Sequence, residues 1–165
     1  MLYKYLHIVC LDAPSPPDYG GAIDMYYKIE ALYHCGIKII LHYFNYRKHN
    51  IEVLEPLCFK IYDYNRSKGF KAFSFSKPYI VQSRINKSLI KRLNEDSHPV
   101  LLEGIHCSGV VSYIQKQNRS IIIRVHNNEA IYYEKLAKYE KNLLKKLYFK
   151  RESKLLERYQ RRLPK

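Results

Sequence analysis

His126 stands directly after an isoleucine-rich run, Ser120 to Val125, and leads into Asn127, Asn128 and Glu129. A polar imidazole at a strand end has no capping duty, and it can donate to a ligand hydroxyl or to a developing charge. Asn127 suits a helix cap and Glu129 a first helical turn. Glu103 and His106 follow a second apolar run, Val100 to Leu102. A carboxylate near a histidine can orient it, hold a hydroxyl or act as a general base; hydrogen bonding to the adjoining loop is the other use of such residues. Arg124, inside the isoleucine run, either faces a carboxylate across a sheet or reaches toward phosphate. Gly20 and Gly21 close a loop that begins at Asp12 and contains Pro14, Pro16 and Pro17. Lacking a Cβ, such a pair lets backbone amides at a helix start approach an anion, and it serves equally well as a tight turn. Neither G-x-G-x-x-G nor G-x-x-x-x-G-K-[ST] occurs, so a nicotinamide dehydrogenase and a P-loop NTPase are unsupported. No nucleophilic Ser or Cys motif and no cluster of metal ligands appears in the sequence.

These residues need elements to hold them together. Leu6 to Leu11, Ile37 to Phe44, Phe59 to Tyr64, Val100 to Leu102 and Ser120 to Val125 read as strands, most of them too uniformly apolar for a half-exposed sheet. Between them, Ala22 to Cys35 carries Ile23, Met25, Tyr26, Ile29, Leu32 and Tyr33 at helical spacing and stops at Gly36. A short helix is expected to carry Ile51, Leu54 and Leu57, another Ile85 to Leu93, and a compact one Val110 to Gln117. His42, within the second strand, is expected to be a core histidine with its polar atoms satisfied. Strand and helix alternating in this way give an α/β class, a Rossmann-like parallel sheet with helices on both faces. Ligands of such sheets collect at the carboxyl ends of the strands, which places Pro14–Gly21, Glu103–His106 and His126–Glu129 along one edge.

The run Pro14-Ser15-Pro16-Pro17-Asp18-Tyr19-Gly20-Gly21-Ala22 after a first strand resembles the opening of bacterial retaining glycosyltransferases of family 4, which have the GT-B fold. Leu41-His42-Tyr43-Phe44, Glu103-Gly104-Ile105-His106 and Arg124-Val125-His126-Asn127-Asn128-Glu129 follow in the order of that family's amino-terminal half. The resemblance covers nearly the whole chain. It implies a hexosyltransferase that moves a sugar from a nucleotide-sugar donor to a cell-surface glycan or lipid-linked acceptor with retention, as in polysaccharide biosynthesis, and needs no further cofactor or metal. By the same resemblance Gly20 and Gly21 lie against the donor phosphates, where Arg124, read from its own position, would be a further phosphate contact. His126 touches the transferred sugar as the catalytic residue, and Asp18, Tyr19, Glu103, His106 and Asn127 frame the acceptor. The family grips the donor mainly with a second, carboxyl-terminal domain. Residues 1–165 therefore read as a single acceptor-side domain, truncated before its last strand, with the donor-binding domain absent and no transfer expected from the piece alone.

A chain of 165 residues suffices for one domain with a core. No apolar run approaches the ~20 residues of a spanning helix, and the start has no signal-peptide cleavage region, which points to the cytoplasm. Cys10, Cys35, Cys58 and Cys107 lack metal spacing and read as small core hydrophobes. Phe70, Phe73 and Phe75 form either a satellite cluster under a loop or an apolar lip. The net charge is +14, and residues 135–165 hold twelve Lys or Arg against three Glu. From 129 to 162 the pattern is helical, with a break expected near Phe149 to Glu152. Leu136, Leu143, Leu147 and Tyr148 form one apolar stripe and Leu155, Leu156 and Tyr159 another. Lys138, Lys141, Lys145, Lys146, Arg151, Arg158, Arg161 and Arg162 then supply a basic face that can lie peripherally on an anionic membrane or remain solvated. A noncatalytic basic module for nucleic acid or a membrane is the alternative function; nucleic acid is disfavoured because no recognition motif accompanies the charge.

Overall fold

The computed structural model describes residues 4–45, 50–115 and 119–163. Its centre is one sheet of five strands: β1 (Tyr5–Cys10), β2 (Lys38–Asn45), β3 (Lys60–Asn65), β4 (Val100–Glu103) and β5 (Ile121–Arg124). All pairs are parallel and the order is β3-β2-β1-β4-β5. The chain winds outward from β1 through β2 to β3, then crosses to the other side of β1 for β4 and β5. The winding direction thus reverses between β1 and β4, where the loops leaving the carboxyl ends diverge and open a crevice.

Successive strand residues point to opposite faces, so each strand serves two cores. Ile8 and Cys10 of β1 join Ile39, Leu41 and Tyr43 of β2 beneath Met25 and Ile29 of α1 (Gly20–His34). Val9, Phe44, Tyr64, Val100 and Leu102 pack on the opposite face against Leu89 and Leu93 of α3 (Lys87–Leu93). The expected α/β sheet covered on both faces is what the chain adopts. A third cluster joins Ile80 and Val81 of α2 (Tyr79–Gln82) to Ile105, to Ala130 of α4 (Glu129–Tyr139) and to Leu156 of α5 (Leu143–Gln160). Tyr159 Oη lies 3.0 Å from Ser108 Oγ, and the Glu152 carboxylate accepts from the Tyr79 amide at 2.6 Å, so α5 is tied both to the segment after β4 and to the start of α2.

Several local expectations are corrected. Residues 105–112 form a 3-10 helix, Ile105–Ser112, in place of the helix expected from Val110; Gln117 lies outside the described residues. Gly109 presses there against Ile85 and Val81, which a Cβ would meet at 2.8 and 2.9 Å. The helix around Ile51 and Leu54 is only a 3-10 turn, Glu55–Leu57. The stretch before β4 is split, because Asn86 caps α3 by accepting from the amides of Ser88 and Leu89. The tail breaks at Glu140–Asn142, where Asn142 accepts from the Lys145 amide at 3.1 Å, and α5 continues unbroken through Phe149–Glu152. Cys35 is exposed, unlike the buried Cys10 and Cys107. Phe70 and Phe75 are exposed and form no buried satellite cluster.

His42 is fully buried and doubly bonded, as expected of a core histidine: Nδ1 meets Tyr64 Oη at 2.9 Å and Nε2 meets His7 Nδ1 at 2.8 Å. His7 Nε2 lies 3.1 Å from both Asp96 oxygens, and Arg119 donates to Asp96 at 2.8 Å. The anionic end sets the direction of the chain. Asp96 accepts from His7, His7 Nδ1 then accepts from His42 Nε2, and Tyr64 donates to His42 Nδ1.

Candidate functional site at the switch point

A pocket of about 230 Å³ occupies the crevice between β1 and β4, with Tyr19, Gly21, Gly104, His106, His126 and Asn127 in its wall. Leu11, Met25 and Ile105 supply its apolar side and Glu129 its far rim. Gly104 turns the chain directly after β4 at φ +87°, and a Cβ there would meet His106 Nδ1 and Leu11 at 3.2 Å. At Gly21 a Cβ would meet the Tyr19 ring at 2.8 Å, whereas at Gly20 it would meet no atom within 4 Å. Helices α3, α4 and α5 are each capped by an asparagine side chain, but α1 has no side-chain cap and no acidic residue in its first turn. Its opening amides and positive dipole end thus face the crevice uncompensated by capping.

Behind the pocket lies a network of charges that the strand register assembles. Cys10, Glu103 and Arg124 are aligned across β1, β4 and β5, on the face covered by α1. Asp24 and Lys28 reach them from adjacent turns of α1. Lys28 donates to the fully buried Glu103 and lies 3.3 Å from Asp24; Arg124 pairs with Asp24 and lies 3.7 Å from Glu103. The Arg124 hydrogen bond holds the Asp24 carboxyl below its usual range, and the same bond pushes the Arg124 guanidinium up. His126 Nε2 sits 2.8 Å from Glu103 Oε2 without a well-aligned hydrogen bond, and both atoms are sealed from solvent. Nδ1, 3.8 Å from Asp24, is left as the ligand-side nitrogen. Asp24, Glu103 and His126 have ligand atoms within 4.8 Å of one another. Lys28 and Arg124 already neutralise both carboxylates, so the charge balance gives a divalent cation little to gain. Burial, with Arg84 and His126 nearby, pushes the His106 imidazole down to about 3, so it is neutral at pH 7. Burial also raises the Glu129 carboxyl.

Tyr19, Gly21, His106, His126 and Asn127 are thus brought together. Gly20 opens α1 beside them. Asp18 is exposed on the loop and is absent from the pocket wall. Glu103 cannot touch an acceptor directly because it is wholly buried; any influence passes through His126. Arg124 faces a carboxylate, that of Asp24. The cap of α4 is Asn128, which accepts from the Ile131 amide at 3.2 Å, leaving Asn127 to the pocket. Arg151 turns inward from the basic face, pairing with Glu152 at 2.6 Å, donating to the Ser74 carbonyl and lying over the Phe73 ring at 4.6 Å. Lys138, Lys141, Lys145, Arg158, Arg161 and Arg162 are exposed and Lys146 is half-buried. Sequence reasoning missed Asp24 and Lys28. Their i, i+4 spacing on an amphipathic helix beside two strand-end charges was the available signal.

The all-parallel, helix-flanked sheet with a crevice at its switch point defines a Rossmann-like α/β protein. The chain is 29% identical over 154 residues to an uncharacterized 44.6 kDa protein in the cps region of Klebsiella pneumoniae. The match covers 86% of this chain and 38% of that relative, so the chain spans about two fifths of the relative's length. No protein-family model matches the chain. No solved structure matches it either.

Proposed function

We propose that this chain is the acceptor-side, amino-terminal domain of a retaining GT-B glycosyltransferase that transfers a hexose from a nucleotide-sugar to a cell-surface glycan or lipid-linked acceptor at the cytoplasmic side. The observation that carries the reading is the pocket at the switch point, which gathers a neutral histidine, a second histidine backed by a buried carboxylate, and an uncapped helix start. The relative's place in a cps region supports a role in capsule polysaccharide synthesis. In this reading the amides of Gly20 and Gly21 approach the donor diphosphate. His126 accepts at Nδ1 from a hydroxyl of the transferred sugar, while Glu103 faces the Nε2–H and fixes the ring from behind. Tyr19, His106 and Asn127 bind the acceptor, and the donor nucleotide is held mainly by a second domain outside these residues.

The exposed Leu143, Leu144 and Leu147 on the first turns of α5, beside Lys141 and Lys145, support peripheral contact with an anionic leaflet. No helix among the described residues is long and apolar enough to cross a membrane. Gly21→Trp in the complete protein tests the site. The ring would fill the crevice and displace Tyr19, so nucleotide-sugar turnover should vanish with the melting temperature unchanged. Undiminished turnover would remove the loop from the site.

A further inference from the structure

Three neighbouring cavities share lining residues along the start of α4. The switch-point pocket shares Asn127 and Glu129 with a cavity of about 500 Å³. That cavity shares Asn128, Ile131 and Lys135 with a groove of about 1220 Å³ between α4 and α5. Short, buried side chains, Ala130 and Ala137, are part of its lining. Its walls are cationic: Lys135 and Lys138 come from α4, and Lys146, Lys150, Lys154 and Arg161 from α5. Only Glu134 and Glu157 oppose them, and Glu157 already pairs with Arg161 at 2.6 Å.

The spacing of these charges is informative. Lys146, Lys150 and Lys154 recur every fourth residue, which sets them about 6 Å apart along the helix. Residues 128–138 extend the opposite wall over about 15 Å. A single diphosphate headgroup would call for one compact cluster of cations, whereas a row of them matches a polymer whose charges repeat. Among the described residues no aromatic side chain lines the groove itself, although Tyr132 lines the adjoining cavity. Ile131 adds an apolar side chain to the lining, and Asn128, Ile131 and Lys135 are shared with the cavity that shares Asn127 and Glu129 with the switch-point pocket.

We infer that the groove binds an extended anionic glycan, a chain bearing carboxylates or phosphates at intervals, with its terminal residue delivered to the switch-point pocket. This deepens the acceptor reading of that pocket and rests on it: the acceptor would be an acidic oligosaccharide or longer, held at several sugars from the reacting end.

The test is direct binding to the 165-residue chain. A galacturonate oligomer, a neutral maltooligosaccharide of equal length, a single-stranded oligonucleotide and anionic vesicles are titrated at physiological salt. The same titrations are run on Lys146→Gln/Lys150→Gln/Lys154→Gln and on a control of equal charge loss, Lys71→Gln/Lys87→Gln/Lys91→Gln. We expect galacturonate affinity to fall about tenfold or more in the groove variant and to change little in the control, the loss expected for several contacts to repeated charge. Should the triple substitution disturb the fold, Lys150→Glu alone reads the same effect. Equal losses in both variants would overturn the inference. So would equal binding of the neutral oligomer, or a larger loss for oligonucleotide or vesicles than for galacturonate. Oligomer binding reads the groove and sugar turnover reads the switch-point pocket, so the two readings fail separately. Groove binding in a complete protein that transfers no sugar would therefore refute the transferase reading alone, and active transfer with unaltered groove-variant binding would refute the groove alone.

Discussion

At the scale of single residues the site depends on one buried charge and one glycine. Glu103 lies fully buried among Lys28, Arg124 and His126, and its closest counter-charge is the Lys28 ammonium. Lys28→Met keeps most of the side-chain volume but removes that charge, and breaking a buried pair from one side costs about 3–5 kcal/mol. Urea unfolding should register a loss of that order; a change near zero would mean that Arg124 alone can hold the carboxylate. Gly104→Ala places a Cβ against Leu11 and His106 at φ +87° and ψ 154°, a backbone region held almost only by glycine, at a cost of about 1–3 kcal/mol. The expected lowering of thermal stability is modest, and the Leu11 and His106 signals should shift with it in NMR spectra. His126, His106 and the glycine pair were legible in the sequence because strand ends can be located from apolar runs. Glu103 was legible as a charge at a strand end but not as a buried one. Its burial comes from α1 laying Asp24 and Lys28 over the strand ends, a tertiary contact between residues 75 positions apart that no local pattern states.

At the scale of elements, the strands follow from hydrophobic runs, so the α/β class could be read directly. The helix ends were less readable, since they turn on which of several asparagines accepts a backbone bond: Asn128, not Asn127, caps α4, and Asn142 starts α5. The docking of α5 depends on Leu156, fully buried against Ile105, Val81 and Ala130. Leu156→Ala should cost about 2–5 kcal/mol and loosen the α4–α5 pair first, seen as faster hydrogen exchange in both helices. The polar chain across β3, β2 and β1 sets a pH dependence. Burial pushes His42 down to about 3, and burial outweighs the pull of Asp96 to lower His7 too, from ordinary values near 6.5. Imidazoles held neutral in the fold bind protons more readily once unfolded. Their stabilisation is therefore complete above about pH 6.5 and is lost as pH falls toward 3. Melting temperatures should drop across that interval, and His42→Phe should flatten the slope; an unchanged slope would mean that other groups govern acid unfolding.

At the scale of the whole molecule, the charge distribution separates two surfaces. Residues 135–165 hold +9 of the net +14 charge, twelve Lys or Arg against three Glu, and this stretch includes the groove cations and the exposed Leu143, Leu144 and Leu147. Binding to anionic vesicles should weaken as salt shortens the screening length from about 10 Å at 0.1 M to about 3 Å at 1 M. Leu144→Ser/Leu147→Ser should weaken it further, and vesicle binding indifferent to both would contradict membrane contact through this turn. The crevice and the charge network behind it meet at His126. The most direct measurement is therefore nucleotide-sugar turnover by the complete protein with and without His126→Ala, following nucleoside diphosphate release over a panel of donors. We expect glycan-dependent release in the native protein and a loss of about 10²–10³ in the variant, the size of one electrostatic contact to the reacting group, with an unchanged fold. No turnover with any donor, or full turnover without His126, would contradict the assignment of this pocket to sugar transfer.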